Sequence, residues 1–354
     1  MADLTPSIKN DPKSDKFLSE FVTRQEIREE ARRGEQFEET ETRLMKGKQK
    51  KSVVLGELQK WIDESPRMPV WKNGFSALPN NLVRSSIFRS ASNKTNKNRP
   101  SLMRKKLSVL GPGEVFYSGF EMRQDDKDVL LALTDRVRRE HGGKPLTPNG
   151  FFEVTVTKYT FLRELGWSQN NRNRDRLEDC LTRLESCQLR LISSADMACD
   201  EQEGKTCSFI GQHEFTAKKL TIPMPHRYFE MLSKGFTLVN MNVLKTLPAG
   251  FTRWLYTYVL SHKDQKKISV LAIIRHAGLV EPTTSADLAR RRQIIRKAGI
   301  NLVSAGVLAE ARIDNTDRFE YRRSADALKA PNLIQQEKGT KAATFSAALS
   351  NCSS

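Results

Sequence analysis

The stretch 161–187, FLRELGWSQNNRNRDRLEDCLTRLESC, determines how we expect this chain to fold. Residues 161–167 have the pattern of a short helix that ends at a glycine, and residues 168–173 are rich in polar side chains that cap helices. After them, apolar side chains recur at i, i+3, i+4 and i+7, namely Leu177, Cys180, Leu181 and Leu184. This spacing predicts a second, longer helix that buries one face.

The opposite side of this longer helix is predicted to carry positive charge. At about 100° per residue, Arg172, Arg176 and Arg183 lie near one another and away from the apolar face. Residues 188–193 and 206–210 have the pattern of two strands joined by the polar loop 195–205. A helix, a turn, a cationic helix and a β-hairpin make up a winged helix, in which one helix enters the major groove and the hairpin contacts the neighbouring backbone.

The composition favours a partner with many negative charges. The 354 residues include 59 Lys and Arg against 42 Asp and Glu, which gives a net charge of +17. Nucleic acid is the leading candidate, because each phosphate that a basic side chain neutralises releases condensed counterions. The sequence has neither an apolar run near the ~18 residues of a membrane span nor the pattern of a signal peptide. We therefore expect a soluble, intracellular protein with no membrane partner.

The N-terminal region is predicted to span 1–77, and its residues up to about 50 mix acidic and basic residues densely and contain few large apolar ones. Such a region cannot offset its ordering entropy by burial, so we expect it to be largely disordered. Within it, an apolar stripe predicts an amphipathic helix near 53–63, either as a docking helix for a partner or as a strut on the next domain. Further along, the patterns predict short strands at 107–110 and 115–119, a helix with an acidic first turn from Asp125, and a strand at 152–156.

A second unit repeats the plan of the first. Residues 161–167 align with residues 273–279, IIRHAGL, with an arginine and a glycine in register. An amphipathic helix is predicted before the aligned segment, at 249–261, and residues 282–285 are predicted to cap a long helix after it. We therefore expect one structural unit to occur twice.

The long helix of the second unit is predicted to have an apolar inner face and a basic outer face. Leu288, Ile295 and Leu302 recur at helical spacing and predict the inner face. The outer face is predicted to carry Arg290, Gln293 and Lys297, flanked by Arg291, Arg292 and Arg296. A second hairpin is predicted at 307–323, and the composition of 324–354 predicts a disordered tail.

Together these patterns predict an α+β protein with two tandem winged-helix domains between a disordered basic and acidic N-terminal region and a frayed C-terminal tail. With 38% hydrophobic residues, the chain can fill two modest cores. The predicted boundaries are 1–77 for the N-terminal region, 78–235 for the first winged-helix domain, 236–323 for the second and 324–354 for the tail.

The sequence lacks the residue patterns of a phosphate-binding loop and of a rolling-circle nickase. Gly204-Lys-Thr206 resembles the end of a phosphate-binding loop, but Cys199 stands where the first glycine belongs. A rolling-circle nickase needs two histidines around one apolar residue and a nearby tyrosine nucleophile, and the five histidines offer no such pair. The five cysteines form no Cys-x-x-Cys pair, so we predict reduced thiols, no metal site and no cofactor. We interpret the chain as a non-enzyme.

Three blocks of sequence resemble a known family. They are Leu78–Phe88, Tyr117–Asp126, and Leu165–Arg172 together with Cys180–Leu184. In their order and spacing these blocks resemble the TrfA-type plasmid replication initiators, and the resemblance extends from Leu78 to Arg323. It implies two winged-helix domains that bind direct repeats, called iterons, at a plasmid origin.

The resemblance also implies further activities and partners. These are local opening of an adjacent AT-rich duplex, recruitment of the host replicative helicase with the host initiator, and copy-number control through a balance of monomer and homodimer. It implies a location in the cytoplasm of a plasmid-bearing bacterium. The family's clamp-binding motif, Gln-x-x-Leu-Phe, is matched only in part by Gln59–Ile62, which leaves a contact with the host sliding clamp unsupported.

The basic residues of both units predict the contacts with double-stranded DNA. Arg176 and Arg290 are the candidates for base edges, because arginine bonds guanine bidentately with about 1–3 kcal/mol of discrimination. The residues predicted to hold phosphates are Arg172, Asn173, Lys205, Lys219, Arg322 and Arg323. The remaining predicted DNA-binding residues are Asn171, Arg174, Arg183, Ser285, Arg291, Gln293, Arg296 and Lys297.

Two other functions are open at this point. A winged-helix transcriptional repressor has the same basic faces but leaves its operator duplex closed. A nicking or recombining enzyme forms a covalent adduct with DNA through a tyrosine, for which Tyr256, Tyr258 and Tyr321 are available. For any single basic residue, a solvated helix face is also a sufficient explanation.

Overall fold

The structure is a computed structural model that describes residues 66–90, 99–109, 114–147, 150–192, 205–216, 219–262 and 267–325. The predicted helix near 53–63, the partial clamp motif, most of the loop 195–205 and nearly all of the predicted tail lie outside these residues. The described residues from Arg67 onward belong to one compact unit. Within the described ranges, no helix is both long enough and apolar enough to cross a membrane.

The described residues form helices and short strands that are mixed along the chain. The helices are α1 (Asn80–Val83), α2 (Gln124–His141), α3 (Lys158–Leu165), α4 (Asn171–Ser186), α5 (His226–Ser233), α6 (Met241–Thr246), α7 (Phe251–Leu260), α8 (Val270–His276) and α9 (Ser285–Ser304). The strands are β1 (Phe75–Pro79), β2 (Phe88–Arg89), β3 (Ser101–Lys106), β4 (Glu114–Phe120), β5 (Met122–Arg123), β6 (Phe151–Val156), β7 (Gln188–Ile192), β8 (Lys205–Cys207), β9 (Glu214–Phe215), β10 (Leu220–Pro225), β11 (Phe236–Asn240), β12 (Ile268–Ser269), β13 (Leu308–Ile313) and β14 (Arg318–Arg323).

The strands form small sheets rather than one large one. A four-stranded antiparallel sheet has the order β3-β4-β7-β8, and two three-stranded sheets have the orders β6-β10-β9 and β12-β14-β13. Two further pairs are antiparallel β1–β11 and parallel β2–β5. The prediction of a mixed protein of helices and small sheets is confirmed.

The aligned segments 161–167 and 273–279 have the same backbone geometry. Gly166 follows α3 with φ +70°, and Gly278 follows α8 with φ +67°. In the first segment the N–H of Trp167 donates to the carbonyl of Leu162 at 2.9 Å, and in the second the N–H of Leu279 donates to the carbonyl of Ile274 at 3.0 Å. A left-handed residue with this hydrogen bond is the Schellman end of a helix, which glycine adopts at least cost.

Each of these turns belongs to the same succession of elements: helix, strand, short helix, long helix and hairpin. The first succession is α2, β6, α3, α4 and β7–β8, and the second is α7, β12, α8, α9 and β13–β14. The sheets differ, because β12 pairs with the hairpin strand β14, whereas β6 pairs with β10 from outside its succession. This order of elements therefore occurs twice, and we call the two occurrences the first and the second copy. The two copies differ in which strands they pair with.

The apolar stripes of the two long helices are buried. All four predicted inner residues of α4, Leu177, Cys180, Leu181 and Leu184, are at most 1% exposed. On α9, Ile295 and Leu302 are buried as predicted, and Leu288 is half-buried against the same core. At about 25 cal/mol per Å² of apolar surface, burial of these stripes is the main contribution that fixes both helices.

One continuous hydrophobic core connects the two copies. The strand β1 pairs with β11, so a segment that begins before residue 78 is joined to a segment that begins after residue 235. Met68 and Trp71, within the region predicted to be largely disordered, are 1% and 4% exposed. The packed part of the chain thus begins before residue 78, and the division into domains 78–235 and 236–323 stays a prediction.

One predicted strand is displaced in the structure. The sequence pattern favoured 107–110, whereas β3 is Ser101–Lys106 and the buried Leu107 follows it. β3 is an edge strand whose side chains are mostly exposed. Edge strands with charged residues lack the apolar alternation by which strands are predicted, which explains the difference.

Candidate nucleic-acid interface

The helix α9 presents a basic face to solvent. It carries five arginines and lysines but only one acidic residue, Asp287. Thr284 caps the helix by accepting the N–H of Asp287 at 3.1 Å. The side chain of Arg290 is 79% exposed, and Gln293, Arg296 and Lys297 are exposed as well. The predicted outer face of this helix is therefore present, with Ser285 exposed at its first position.

Two other arginines of α9 are bonded to the protein. Arg291 donates from Nη2 to the carbonyl of Val280 at 3.3 Å. Arg292 forms an ion pair with Asp317, in the turn of the β13–β14 hairpin. These bonds tie α9 to the turn before it and to the hairpin beside it. The predicted residues of α9 that remain exposed are Ser285, Arg290, Gln293, Arg296 and Lys297.

The β13–β14 hairpin carries further basic side chains, which differ in their exposure to solvent. Arg322 and Arg318 are exposed, the latter not predicted from the sequence. Arg323 is half-buried and donates to the carbonyl of Val259 at 2.9 Å. This bond joins the hairpin to α7, and it corrects the expectation that Arg323 is free to hold a phosphate.

The exposed face of α4 differs in charge from that of α9. α4 carries four arginines but also two aspartates and two glutamates. The positions farthest from its buried stripe include Asp175 and Asp179, both exposed. Exposed arginines are confined to the N-terminal turn, at Arg172 and Arg174. The outer surface of this helix is thus mixed in charge rather than uniformly cationic.

The other two arginines of α4 point toward the protein. The side chain of Arg183 is 12% exposed, and its Nε lies 2.9 Å from Asp126. The guanidinium of Arg176 lies 4.1 Å from the ring centre of Trp167, and its Nε is 3.5 Å from Asp125. The expectation that Arg183 faces outward is therefore wrong, because a carboxylate on α2 draws it inward, and Arg176 is only 37% exposed.

Those carboxylates belong to a run of four charged residues at the start of α2 that is almost completely buried. Asp125, Asp126, Lys127 and Asp128 are 4%, 0%, 2% and 6% exposed. Arg99 bonds both Asp125 and Asp126. We call these four residues and Arg99 the α2 charge cluster. The sequence predicted the acidic first turn but not its burial or its partners.

The α2 charge cluster also bonds the second copy. Lys127 donates from Nζ to the carbonyl of Arg253 at 3.1 Å and to the hydroxyl of Thr257 at 3.1 Å, both on α7. Arg253 in turn forms an ion pair with Asp128. One turn of α2 therefore holds α4 on one side and α7 on the other.

The α2 charge cluster is an ion-pair network. Burial opposes ionisation of Asp125, but Arg99 and Arg176 outweigh it and hold its pKa below the ordinary value. Burial and the neighbouring Asp125 raise the pKa of Asp126. Oxygens of both carboxylates and the Cys180 sulfur come within 4.8 Å of one another. Because arginines occupy those oxygens and burial raises the pKa of the Cys180 thiol, the group does not suit a metal ion, which needs ionised ligands.

The buried Lys127 predicts a pH dependence of stability. Burial lowers its pKa to about 7 from 10.5, so between these values the unfolded chain binds more protons and the folded state gains stability as pH rises. Because of this residue, we expect the free energy of unfolding to increase by about 2 kcal/mol as the pH rises from 7 to 9. Urea unfolding of Lys127→Met should show a flatter pH profile than the parent protein. Identical profiles would contradict a buried lysine whose pKa is lowered to about 7.

The remaining predicted residues are dispersed. Asn171 is exposed at the start of α4, and Asn173 donates to the carbonyl of Ser168 at 2.8 Å, where it fixes the turn before the helix. Lys219 is exposed in the turn before β10, which belongs to a different sheet from the β7–β8 hairpin. Lys205 begins β8. All predicted residues of the second copy thus lie on α9 and the β13–β14 hairpin, whereas Lys219 lies outside the elements of the first copy.

Comparison with known proteins identifies related sequences. The family model described as TrfA protein matches residues 37–201, which include α3 and α4 but not α8 and α9. The plasmid replication initiator protein TrfA of Escherichia coli is 28% identical over 125 residues, which are 35% of this chain and 30% of that protein. The chain thus matches less than a third of that relative's length. The resemblance to TrfA-type initiators that the sequence indicated is confirmed.

Two solved structures of domains 2 and 3 of RctB are similar to this chain in part. One has a TM-score of 0.41 and 15% identity, covering 58% of this chain and 80% of the RctB chain. The other has a TM-score of 0.47 and 12% identity, covering 67% of this chain and 96% of the RctB chain.

Proposed function

We propose that this chain, whose residues 37–201 match the TrfA family, is a plasmid replication initiator that binds direct repeats at an origin. It opens an adjacent AT-rich duplex and recruits the host replicative helicase with the host initiator, and its activity is set by a balance of monomer and homodimer. It acts as a DNA-binding protein rather than as an enzyme, in the cytoplasm of a plasmid-bearing bacterium.

The observation that carries this proposal is the exposed basic face of α9. Arg290, Gln293, Arg296 and Lys297 lie on one side of a capped helix that a hairpin flanks. A duplex carries one negative charge per about 1.7 Å, and a helix with a basic outer face fits its major groove. We therefore propose that α9 and the β13–β14 hairpin form a winged helix that contacts DNA.

We propose unequal roles for the two copies of the repeated succession. The second winged helix supplies the main contacts, with Arg290 at base edges and Ser285, Arg296, Lys297 and Arg322 nearer the phosphates. The first contacts DNA through the N-terminal turn of α4, at Asn171, Arg172 and Arg174. Farther along that helix, the carboxylates of Asp175 and Asp179 repel phosphates. Arg176 and Arg183 then serve chiefly to fix α4 on the α2 charge cluster.

The alternative function is that of a transcriptional repressor. A repressor leaves the bound duplex closed, whereas an initiator opens it. The test is permanganate probing of a supercoiled plasmid that carries the DNA flanking the coding sequence of this chain. We expect unpaired thymines beside the bound repeats with the parent protein and none with Arg290→Ala. The variant Lys234→Ala, which removes an exposed charge outside both repeated successions, is the matched control and should open the duplex normally. Bound protein over a fully closed duplex would support the repressor and contradict an initiator.

A further inference from the structure

The outward stripe of α9 contains one amide side chain among charged and apolar ones. Gln293 is exposed, and among the described residues its amide has no hydrogen-bond partner. The other amide of this helix, Asn301, is turned toward the protein, where it donates to Thr252 Oγ1 at 3.3 Å. A free amide in the middle of an exposed basic stripe has the chemistry to bond a base edge rather than a phosphate.

The neighbours of Gln293 allow a close approach to DNA. The exposed residues one and two turns before it, Ala289 and Ala286, end at Cβ, so the helix backbone can come near the base edges. Arg291 and Arg292, on the flanks, are bonded to Val280 and Asp317 and are kept out of this stripe. Gln293 therefore stands between small residues toward the helix start and basic residues toward its end.

The spacing to Arg290 fits a base-pair step. The two residues are three positions apart, which is about 4.5 Å along a helix axis, against a rise of about 3.4 Å between bases on one strand. Arginine pairs bidentately with guanine, and glutamine pairs bidentately with the N6 and N7 atoms of adenine. The guanidinium of Arg290 lies 4.0 Å from the carboxylate of Asp287, and its side chain is 79% exposed.

We infer that Gln293 reads an adenine next to a guanine read by Arg290, so that each bound repeat contains an adjacent guanine and adenine. This inference rests on the proposed function and adds to it the base chemistry of the recognised site. Arg296 and Lys297, one turn farther along, hold the backbone beside this step and add affinity without selecting bases.

The test begins with the full chain and a library of random duplexes, from which bound sequences are enriched. In an enriched duplex, 7-deazaadenine then replaces each adenine in turn, which removes the N7 acceptor and leaves Watson–Crick pairing intact. At one position we expect the parent protein to lose about 5- to 150-fold in affinity. Gln293→Ala should be almost indifferent to that replacement, because its contact is already missing.

Lys297→Ala is the matched control. It should bind all duplexes more weakly but keep the full penalty for 7-deazaadenine, because a phosphate contact carries no base information. Alanine is the best helix former, so neither variant is expected to disturb α9. An equal penalty in Gln293→Ala and the parent protein, or no adenine that matters to the parent, would overturn the base assignment alone. A library that yields no enriched duplex would overturn the proposed function and this inference with it.

Discussion

Asp126→Ala is expected to lower the free energy of unfolding by about 3–5 kcal/mol, the cost of breaking a buried ion pair by removing one partner. Asp126 is completely buried and bonds Arg99 and Arg183, whose side chains are each 12% exposed. It also accepts the backbone N–H of Arg123 at 2.7 Å, which caps α2. The substitution removes a buried carboxylate from both guanidinium groups, leaves Arg99 paired with Asp125 alone, and removes the cap. Urea denaturation measures the loss of stability.

Glu140→Ala is the matched control for this change. Glu140 lies on the same helix and also pairs with an arginine, Arg136, but its side chain is 37% exposed. Solvent weakens such a pair, so we expect a cost of about 1 kcal/mol or less. Asp126→Asn keeps the shape but not the charge and should fall between the two. If Asp126→Ala lowers the free energy of unfolding by no more than Glu140→Ala does, a structural role for the α2 charge cluster is contradicted.

The triple variant Arg290→Ala, Arg296→Ala and Lys297→Ala is expected to lose at least about a hundredfold in affinity for the bound duplex. A base contact by arginine is worth about 1–3 kcal/mol, and each phosphate contact adds to it. The slope of log affinity against log salt should also become shallower by about 2, because two phosphate contacts are lost. Fluorescence anisotropy at several salt concentrations measures both quantities.

The corresponding change in the first copy is Arg172→Ala with Arg174→Ala. These side chains are exposed at the start of α4, but acidic residues follow them, so we expect a smaller loss than on α9. All of these positions are on the surface, and thermal unfolding should be close to that of the parent protein. A larger loss from the α4 changes than from the α9 changes would contradict the unequal roles proposed here.

The parts of the fold that follow from local periodicity were predictable from the sequence. The buried stripe of α4 and the glycine turns at Gly166 and Gly278 depend on spacing within one segment, and the structure has each of them where the pattern indicated. The acidic first turn of α2 was also visible. Its burial was not, because four consecutive charged residues are expected in water unless partners from elsewhere in the chain surround them.

The orientation of the α4 arginines could not be predicted from the same pattern. A helical projection separates buried from exposed positions, but it does not show which neighbouring element lies beside an intermediate position. Arg176 and Arg183 flank the buried stripe, and the carboxylates of Asp125 and Asp126 draw both toward α2. A run of charged residues directly before the apolar segment 129–133 of α2 was the signal in the sequence that buried partners were needed.

We expect the outer face of α9, and not that of α4, to lie against the duplex. The most direct measurement is photo-crosslinking to origin DNA from a photo-reactive amino acid placed at Ala289 or, in a separate protein, at Asp179. Both positions are exposed on the outer faces of their helices. We expect efficient crosslinks to DNA from position 289 and few from position 179. Crosslinks from position 179 alone would contradict the claim.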